Sequence, residues 1–153
     1  MARDPLTNEQ INAVRAFLRE HSTLALATVN PRGQPEVAPL FYLSDDALNL
    51  YWLSSPKSRH SVNLVSHPQV AATIYPAVWG WQEIRGIQIE GIAAAIDDID
   101  EREALLASYR TKFNIPPELD TQITASTLYR LAPAWIRWLD NGVRMGYKAE
   151  SRL

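Results

Sequence analysis

The chain has 153 residues, 46% of them hydrophobic and 21% charged, a composition close to ordinary globular usage and unlike that of disordered or collagenous chains. Cysteine is absent, which excludes disulfide frameworks, thiolate zinc sites, iron–sulfur ligation and cysteine nucleophiles together, and suits a reducing cytoplasm. With 15 basic against 17 acidic residues the formal charge is −2, so no overall field attracts nucleic acid. The opening Met1-Ala2-Arg3-Asp4-Pro5 carries no apolar run, and no stretch approaches the ~18 apolar residues of a membrane span, so neither secretion nor membrane insertion is expected. At this length folding buries roughly 70% of the surface of the unfolded chain, enough for one domain over 1–153 with its own core.

Thr7 and Gln10 have capping-box spacing, and Ile11, Val14, Phe17 and Leu18 recur on one face, so the chain opens with an amphipathic helix over 7–21 lying on a sheet. Residues 23–29 form an apolar run with β-branched members, and Asn30-Pro31-Arg32-Gly33 supplies a hairpin turn whose glycine suits positive φ. A second strand is expected over 34–43, where Pro35 and Pro39 each remove a ladder donor and argue for an edge or an interrupted pairing. Ser44-Asp45-Asp46-Ala47 turns into a third strand over 48–54, in meander order. Ser55 as N-cap and Pro56 at the first helical position start a short helix with Val62, Leu64 and Val65 as its apolar residues and Pro68 as its stop.

Residues 69–78 and 83–96 read as two further strands separated by Trp79-Gly80-Trp81. Asp100-Glu101-Arg102-Glu103 opens a longer helix carrying Leu105, Leu106, Tyr109 and Phe113, ended by Ile115-Pro116-Pro117. After an irregular or briefly helical stretch, 127–131 and 135–139 read as closing strands, with Asn141-Gly142 as the turn into 143–147. Many short strands and few helices predict a mainly β chain, a small closed or nearly closed β-barrel over about 23–148 with flanking helices.

The densest polar cluster is Ser54-Ser55-Pro56-Lys57-Ser58-Arg59-His60, which follows a strand and occupies a helix start. Free backbone N–H groups and the positive end of the helix dipole point to one place there, and Lys57, Arg59 and the hydroxyls of Ser54, Ser55 and Ser58 add charge-assisted bonds, a design that fits a phosphate monoester. An ordinary capped helix start with solvated basic residues is the equal alternative on spacing alone. First-turn cations oppose the dipole unless an anion offsets them, which tips the balance toward a ligand.

The run Ser58-Arg59-His60-Ser61-Val62-Asn63-Leu64-Val65-Ser66-His67-Pro68-Gln69-Val70 resembles the flavin phosphate-binding helix of the pyridoxamine phosphate oxidase-like split-barrel superfamily. Residues 23–29 with Gly33, 39–43, 50–54, Arg85-Gly86-Ile87-Gln88-Ile89-Glu90-Gly91 and Tyr129-Arg130-Leu131-Ala132-Pro133 look like that family's successive strands, so the resemblance covers most of 23–139. Lys57-Ser58-Arg59-His60, Ile84-Arg85-Gly86-Ile87-Gln88 and Asp140-Asn141-Gly142 look like a small bacterial branch without an assigned substrate. The resemblance implies a homodimer of split barrels with an FMN in each of two clefts at the subunit interface. Carried over by position, Lys57, Ser58, Arg59 and His60 hold the phosphate. Ala38, Pro39, Leu40 and Phe41 run beside the isoalloxazine, Leu53 and Ser54 approach the ring, and Arg85, Gly86 and Gln88 lie on the strand that approaches the cofactor, often from the second subunit. No metal site is expected.

Two departures qualify the resemblance. His60 stands where the family's second phosphate cation is usually Lys, so the charge there is expected to follow pH around ~6.5, with phosphate binding weakening as pH rises. Leu43 stands where the vitamin-oxidising members carry Lys, and their Ser-Arg-Pro-Arg and Gln-Ile-Gly-Ala-Trp segments have no match in 107–128, so pyridoxamine phosphate oxidation is not expected. The first functional reading is an FMN-dependent oxidoreductase acting on a small molecule with a separate electron donor, the hydride or electron chemistry residing in the cofactor. The second is a non-catalytic flavin store or redox sensor, or a split barrel that has exchanged FMN for a deazaflavin or haem, the last needing an axial ligand from His21, His60, His67 or a Tyr. The third is a dimeric barrel with an empty cleft.

Overall fold

Thr7 caps the first helix in the way its spacing predicts. Its Oγ1 accepts the Gln10 backbone N–H at 3.2 Å while Gln10 Oε1 accepts the Thr7 N–H at 2.9 Å, closing a reciprocal capping box on α1 (Asn8–Glu20). The computed structural model describes residues 5–153, so the reading of Met1-Ala2-Arg3-Asp4 lies outside the described residues. Val14, Phe17 and Leu18 form the buried stripe of α1, and Phe17 meets Trp138 edge-on at 5.2 Å.

β1 (Thr23–Val29) pairs antiparallel with β2 (Pro35–Phe41), Thr23 opposite Phe41. In the connecting turn Gly33 has φ +84°, and Asn30 Oδ1 accepts the backbone N–H groups of Arg32 (2.9 Å) and Gln34 (3.0 Å). The chain continues through β3 (Leu43–Ser44), β4 (Leu50–Ser54), α2 (Arg59–Ser66), β5 (Gln69–Ile74), β6 (Arg85–Ala95), α3 (Ile99–Phe113), α4 (Asp120–Ala125), β7 (Thr127–Asp140) and β8 (Lys148–Arg152). Among the described residues these strands form one eight-stranded antiparallel sheet in the order β2-β1-β5-β6-β7-β4-β3, with β8 also on β7.

β2 and β3 stand at opposite ends of that order, yet only Tyr42 separates them in the chain. The sheet therefore curls until its two ends meet, which is the split-barrel architecture. Tyr42 is fully buried at the join and donates its hydroxyl to the Leu18 carbonyl at 2.8 Å. Lys112 of α3 donates to the carbonyls of His21 (2.7 Å) and Tyr42 (3.0 Å), and burial lowers its pKa to about 8. The main core gathers Leu24, Leu26, Leu50, Trp52, Ile87, Ile89, Leu131 and Ile136 under α1. A second cluster of Leu43, Tyr51, Ile96, Tyr109 and Leu128 lies with α3. Each fully buried large side chain contributes about 1.5–3 kcal/mol.

Several sequence expectations are corrected. The strand expected over 34–43 is broken at Tyr42, and the meander ends there: β4 pairs with β7, Leu50 opposite Leu131, and not with β2. β4 begins only at Leu50 because Leu48 takes φ +66° in the preceding turn. β5 stops at Ile74, and Trp81–Glu83 forms a single 3-10 turn before β6. α3 opens at Ile99, with Asp98 as cap accepting the Glu101 N–H at 2.7 Å. The two strands expected over 127–131 and 135–139 are one continuous β7 that changes partner along one edge, β4 against its first half and β8 against its second. The turn after β7 is longer than Asn141-Gly142: Asn141 Oδ1 accepts the Gly146 N–H at 3.0 Å, and β8 starts at Lys148.

Candidate functional site: a basic cleft at the start of α2

β4 delivers Ser54 to the rim of the barrel, and the next four residues turn before any helix begins. Ser55 accepts the Ser58 N–H on its carbonyl (3.1 Å) and the Lys57 N–H on its Oγ (3.2 Å), so Pro56 sits in a turn and the helix starts at Arg59 with Ser58 as N-cap, three residues later than expected. The Ser58 side chain does not cap the helix; it donates to the Ser55 carbonyl at 2.8 Å. The first-turn N–H groups are thus left to another acceptor, at the positive end of the helix dipole.

Around Ser58 a hydroxyl cluster assembles. Its Oγ lies 2.7 Å from Ser61 Oγ, 3.1 Å from Ser54 Oγ and 3.1 Å from His60 Nε2, and Ser54 Oγ lies 2.6 Å from that same imidazole nitrogen. His60 is half-buried, and desolvation lowers its pKa below 6.5. The expected pH-dependent charge near that value is corrected accordingly: the imidazole is neutral at pH 7 and acts through hydrogen bonds.

α2 also buries a different face from the one its sequence suggests. Ser61, Asn63 and Leu64 point inward, while Val62 and Val65 stand 48% and 87% exposed. Asn63 is the reason. Its Nδ2 donates to Thr28 Oγ1 (2.9 Å) on β1 and to Glu36 Oε2 (2.9 Å) on β2, so the helix is seated on the hairpin by a buried polar bridge. Glu36 Oε1 accepts in addition from Asn30 Nδ2 at 3.3 Å and from the Arg59 guanidinium. The Asn63 hydrogen bond, joined by those from Arg59 and Asn30, holds the Glu36 carboxyl below its ordinary value against partial burial. Asn30, Arg32, Glu36, Lys57, Arg59 and Asn63 bound a cleft of about 370 Å³. Three cations, Arg32, Lys57 and Arg59, against the one carboxylate of Glu36 leave its lining net positive.

Of the residues singled out in the sequence, Lys57 and Arg59 line this cleft, while Ser54, Ser58 and His60 form the adjacent hydroxyl–imidazole cluster. Ala38, Pro39, Leu40 and Phe41 lie on the edge strand β2 as the prolines predict, but they alternate: Ala38 and Leu40 face inward with Glu36, while Pro39 and Phe41 face outward, Phe41 against Phe113 at 4.9 Å. Leu53 packs on the cluster with α3. Arg85, Gly86 and Gln88 do not join the cleft within one chain. β6 is three strand steps from β2, or ~14 Å at ordinary sheet spacing. There Arg85 pairs with Asp140 at 3.2 Å and Gln88 Oε1 accepts from Arg137 at 3.1 Å. Gln88 lines a hollow of about 380 Å³ on the outer sheet face, floored by Ala25, Ala27, Ala71 and Thr73 and reached by Val37.

Glu36, Asn63, Asn30 and Arg32 escaped the sequence reading. The available signals were that Glu36 is the lone charge between Gln34 and Ser44, and that Asn63 follows Arg59 by one helical turn.

Comparison with known proteins agrees with this architecture. A family model described as pyridoxamine 5'-phosphate oxidase matches residues 11–140. A pyridoxine/pyridoxamine 5'-phosphate oxidase of Cupriavidus metallidurans is 30% identical over 112 residues, 71% of this chain and 50% of the relative, so the chain spans half the length of that enzyme. Among solved structures, the conserved hypothetical protein Rv2991 of Mycobacterium tuberculosis superposes with TM-score 0.76 at 20% identity, over 92% of this chain and 88% of that one. HutZ, the haem storage protein of Vibrio cholerae, superposes with TM-score 0.67 at 23% identity, over 80% of this chain and 88% of that one. These two likenesses speak to the fold. The match across 11–140, carried on a split barrel, establishes that the chain belongs to the pyridoxamine 5'-phosphate oxidase family.

Proposed function

We propose that the protein is an FMN-binding flavoprotein whose cleft at the start of α2 takes the phosphate of the cofactor, and that it acts as an oxidoreductase on a small molecule. The observation that carries this reading is the convergence of Arg59, Lys57 and Arg32 on one cleft at the start of α2, whose first turn no side chain caps and beside which the hydroxyls of Ser54 and Ser58 cluster. A phosphate monoester needs strong donors and positive charge together, and this set supplies both. Arg59 and Lys57 neutralise the phosphate, Ser54 and Ser58 offer hydroxyls, and neutral His60 keeps those hydroxyls oriented. The inward residues of β2, Ala38 and Leu40, and the backbone near Leu53 and Ser54 border the ring. Bound FMN supplies hydride or electron transfer.

In this reading the protein works as a homodimer. Arg85, Gly86 and Gln88 reach a cleft from the partner copy, and the small-residue floor of the outer sheet face, edged by Val37 and Ile92, is the surface the two copies share. The reading does not extend to pyridoxamine phosphate oxidation, since Leu43 is buried beside Tyr51 and offers a substrate no cation. Among the described residues no helix is long and apolar enough to cross a membrane, and the cysteine-free chain suits the cytoplasm.

Relatives that hold haem make haem the second candidate. Two of the three imidazoles favour FMN, whereas the buried His67 Nδ1 has no hydrogen-bond partner to give up. His60 Nε2 is engaged by Ser54 and Ser58, and His21 Nδ1 lies 2.7 Å from the Phe17 carbonyl with its ring stacked on Phe17 at 3.9 Å, so each would give up existing contacts to ligate iron. Titration with FMN, followed by flavin absorbance and fluorescence quenching, tests the proposal. Arg59→Ala should weaken FMN binding by about 10- to 100-fold, the worth of a charge-assisted Arg–phosphate contact of roughly 1.5–3 kcal/mol. Absence of quenching in the wild type, or an Arg59→Ala variant that binds FMN as well as the wild type, refutes it. Reduction of the bound flavin by NADH or NADPH, with reoxidation by an acceptor, separates an enzyme from a store.

A further inference from the structure

We propose that Glu36 is a positioning residue for the ligand phosphate: its fixed carboxylate holds one edge of the Arg59 guanidinium so that the other edge is presented to the phosphate. The inference rests on the flavin-phosphate reading of the cleft and adds to it a residue from a different strand.

The two partners are unequal. The Glu36 side chain is 15% exposed and receives hydrogen bonds from Asn63 (2.9 Å) and Asn30 (3.3 Å), whereas the Arg59 side chain is 83% exposed. Asn63 is itself 3% exposed and spends its second N–H on Thr28 at 2.9 Å, so the carboxylate stands on a support reaching into β1. The carboxylate is therefore the fixed member and the guanidinium the movable one. A guanidinium carries more donors than one carboxylate oxygen uses, arranged in a planar fork, so Arg59 can keep Glu36 on one side and meet a phosphate with the rest. Left alone, an exposed arginine visits many rotamers and loses them all when it clamps an anion; held in advance, it loses few. Glu36 also subtracts one charge from the cleft, but Arg32, Lys57 and Arg59 leave it positive. Orientation is thus gained at the expense of part of the long-range attraction.

The test uses the whole protein and two ligands that differ only in the phosphate. Dissociation constants for FMN and riboflavin are measured by fluorescence quenching for the wild type, Glu36→Gln, Arg59→Ala and the double variant. Glu36→Gln should lose about tenfold in FMN affinity, the factor expected from ordering one long side chain on binding, and stay within about twofold for riboflavin. In the Arg59→Ala background the same change should add nothing to the FMN loss, because Glu36 acts only through Arg59. A purely structural role would weaken both ligands alike and would persist without Arg59, and that result overturns the proposal. So does a Glu36→Gln variant that binds FMN as tightly as the wild type or tighter, which would make the carboxylate a competitor of the phosphate. Should Glu36→Gln misfold because its amide opposes the Asn63 and Asn30 donors, Glu36→Asp keeps the acceptor charge on a shorter arm and should show a smaller loss confined to FMN; a loss shared by riboflavin overturns the proposal. A wild type that takes up no FMN removes the functional reading itself, whereas a wild type that prefers FMN beside an indifferent Glu36→Gln removes only the role of Glu36.

Discussion

Gly91→Ala should destabilise the fold by about 3 kcal/mol, at the upper end of ordinary overpacking costs. Gly91 lies on β6 where the register against β7 shifts, facing Pro133, and a Cβ placed there would stand 2.1 Å from the Ala132 carbonyl oxygen, 2.9 Å from the Ala132 carbonyl carbon and 3.0 Å from Leu131 Cδ2. Carbon and carbonyl oxygen settle at about 3.3 Å, so the strands would have to part by about 1 Å. No rotamer change relieves that, because the obstacle is the main chain of the neighbouring strand. Loss of one or two ladder hydrogen bonds at ~0.5–1.5 kcal/mol each is included in the figure. For a chain of this size a loss of 1 kcal/mol lowers Tm by about 2–4 °C, giving a fall of roughly 6–12 °C. Thermal unfolding by far-UV circular dichroism measures it, with Gly33→Ala as the companion. Gly33 has open space around its Cβ position and φ +84°, so its variant carries only the left-handed backbone cost of ~1–2 kcal/mol. A Gly91→Ala protein melting within about 2 °C of the wild type, or above Gly33→Ala, would refute the reasoning.

Two further substitutions probe the site and the join. The lowered His60 pKa means that, as pH falls through 6.5, the unfolded chain takes up a proton more readily than the folded one. The contribution of His60 to stability is therefore present above pH 6.5 and lost below the folded-state pKa. Urea unfolding between pH 7.5 and about 5 should show the wild type losing more stability than His60→Gln, while the wild-type to His60→Gln ratio of FMN affinities stays flat from about pH 6.5 to 8; a ratio that falls steadily across that range would reveal a charged His60. Tyr42→Phe strands the Leu18 carbonyl in a buried setting and should cost ~1–3 kcal/mol in chemical denaturation; an unchanged midpoint would show that the hydroxyl does not support the join.

What could be read from the sequence is what neighbouring residues decide. Thr7 and Gln10 mark α1 because a capping box is a local bond pair, and Pro35 and Pro39 place β2 at an edge because a missing donor is a property of the residue itself. Lys57 to His60 are legible as a polar cluster for the same reason: one turn of chain brings them together. The start of α2 was displaced because Ser55-Pro56 suits a turn as well as a helix N-terminus, and Ser58 can cap equally. β7 was divided at Pro133, since a proline that lacks a ladder donor reads as an ending; the long strand tolerates it at the point where β4 gives way to β8. Glu36, Asn30 and Asn63 were out of reach because they come from a strand, a turn and a helix whose meeting depends on the whole sheet. The buried Ser61 and Asn63 face of α2 was hidden for a related reason, because apolar periodicity finds a helix face only when the helix rests on apolar surface.

The pairing of β4 with the distant β7 also bears on the order of folding. The hairpin of β1 with β2 and the pair of β5 with β6 form between segments close in sequence, but β4 must wait for β7, since Leu50 finds Leu131 only after most of the chain has been placed. Pairings between distant segments are entropically slow to close and set the pace of β-rich chains. The basic cleft straddles that divide: Asn30 and Glu36 belong to the early hairpin, whereas Lys57 and Arg59 follow β4. During refolding, secondary structure should therefore return before the proposed phosphate affinity does, because the cleft is complete only when the last seam has shut.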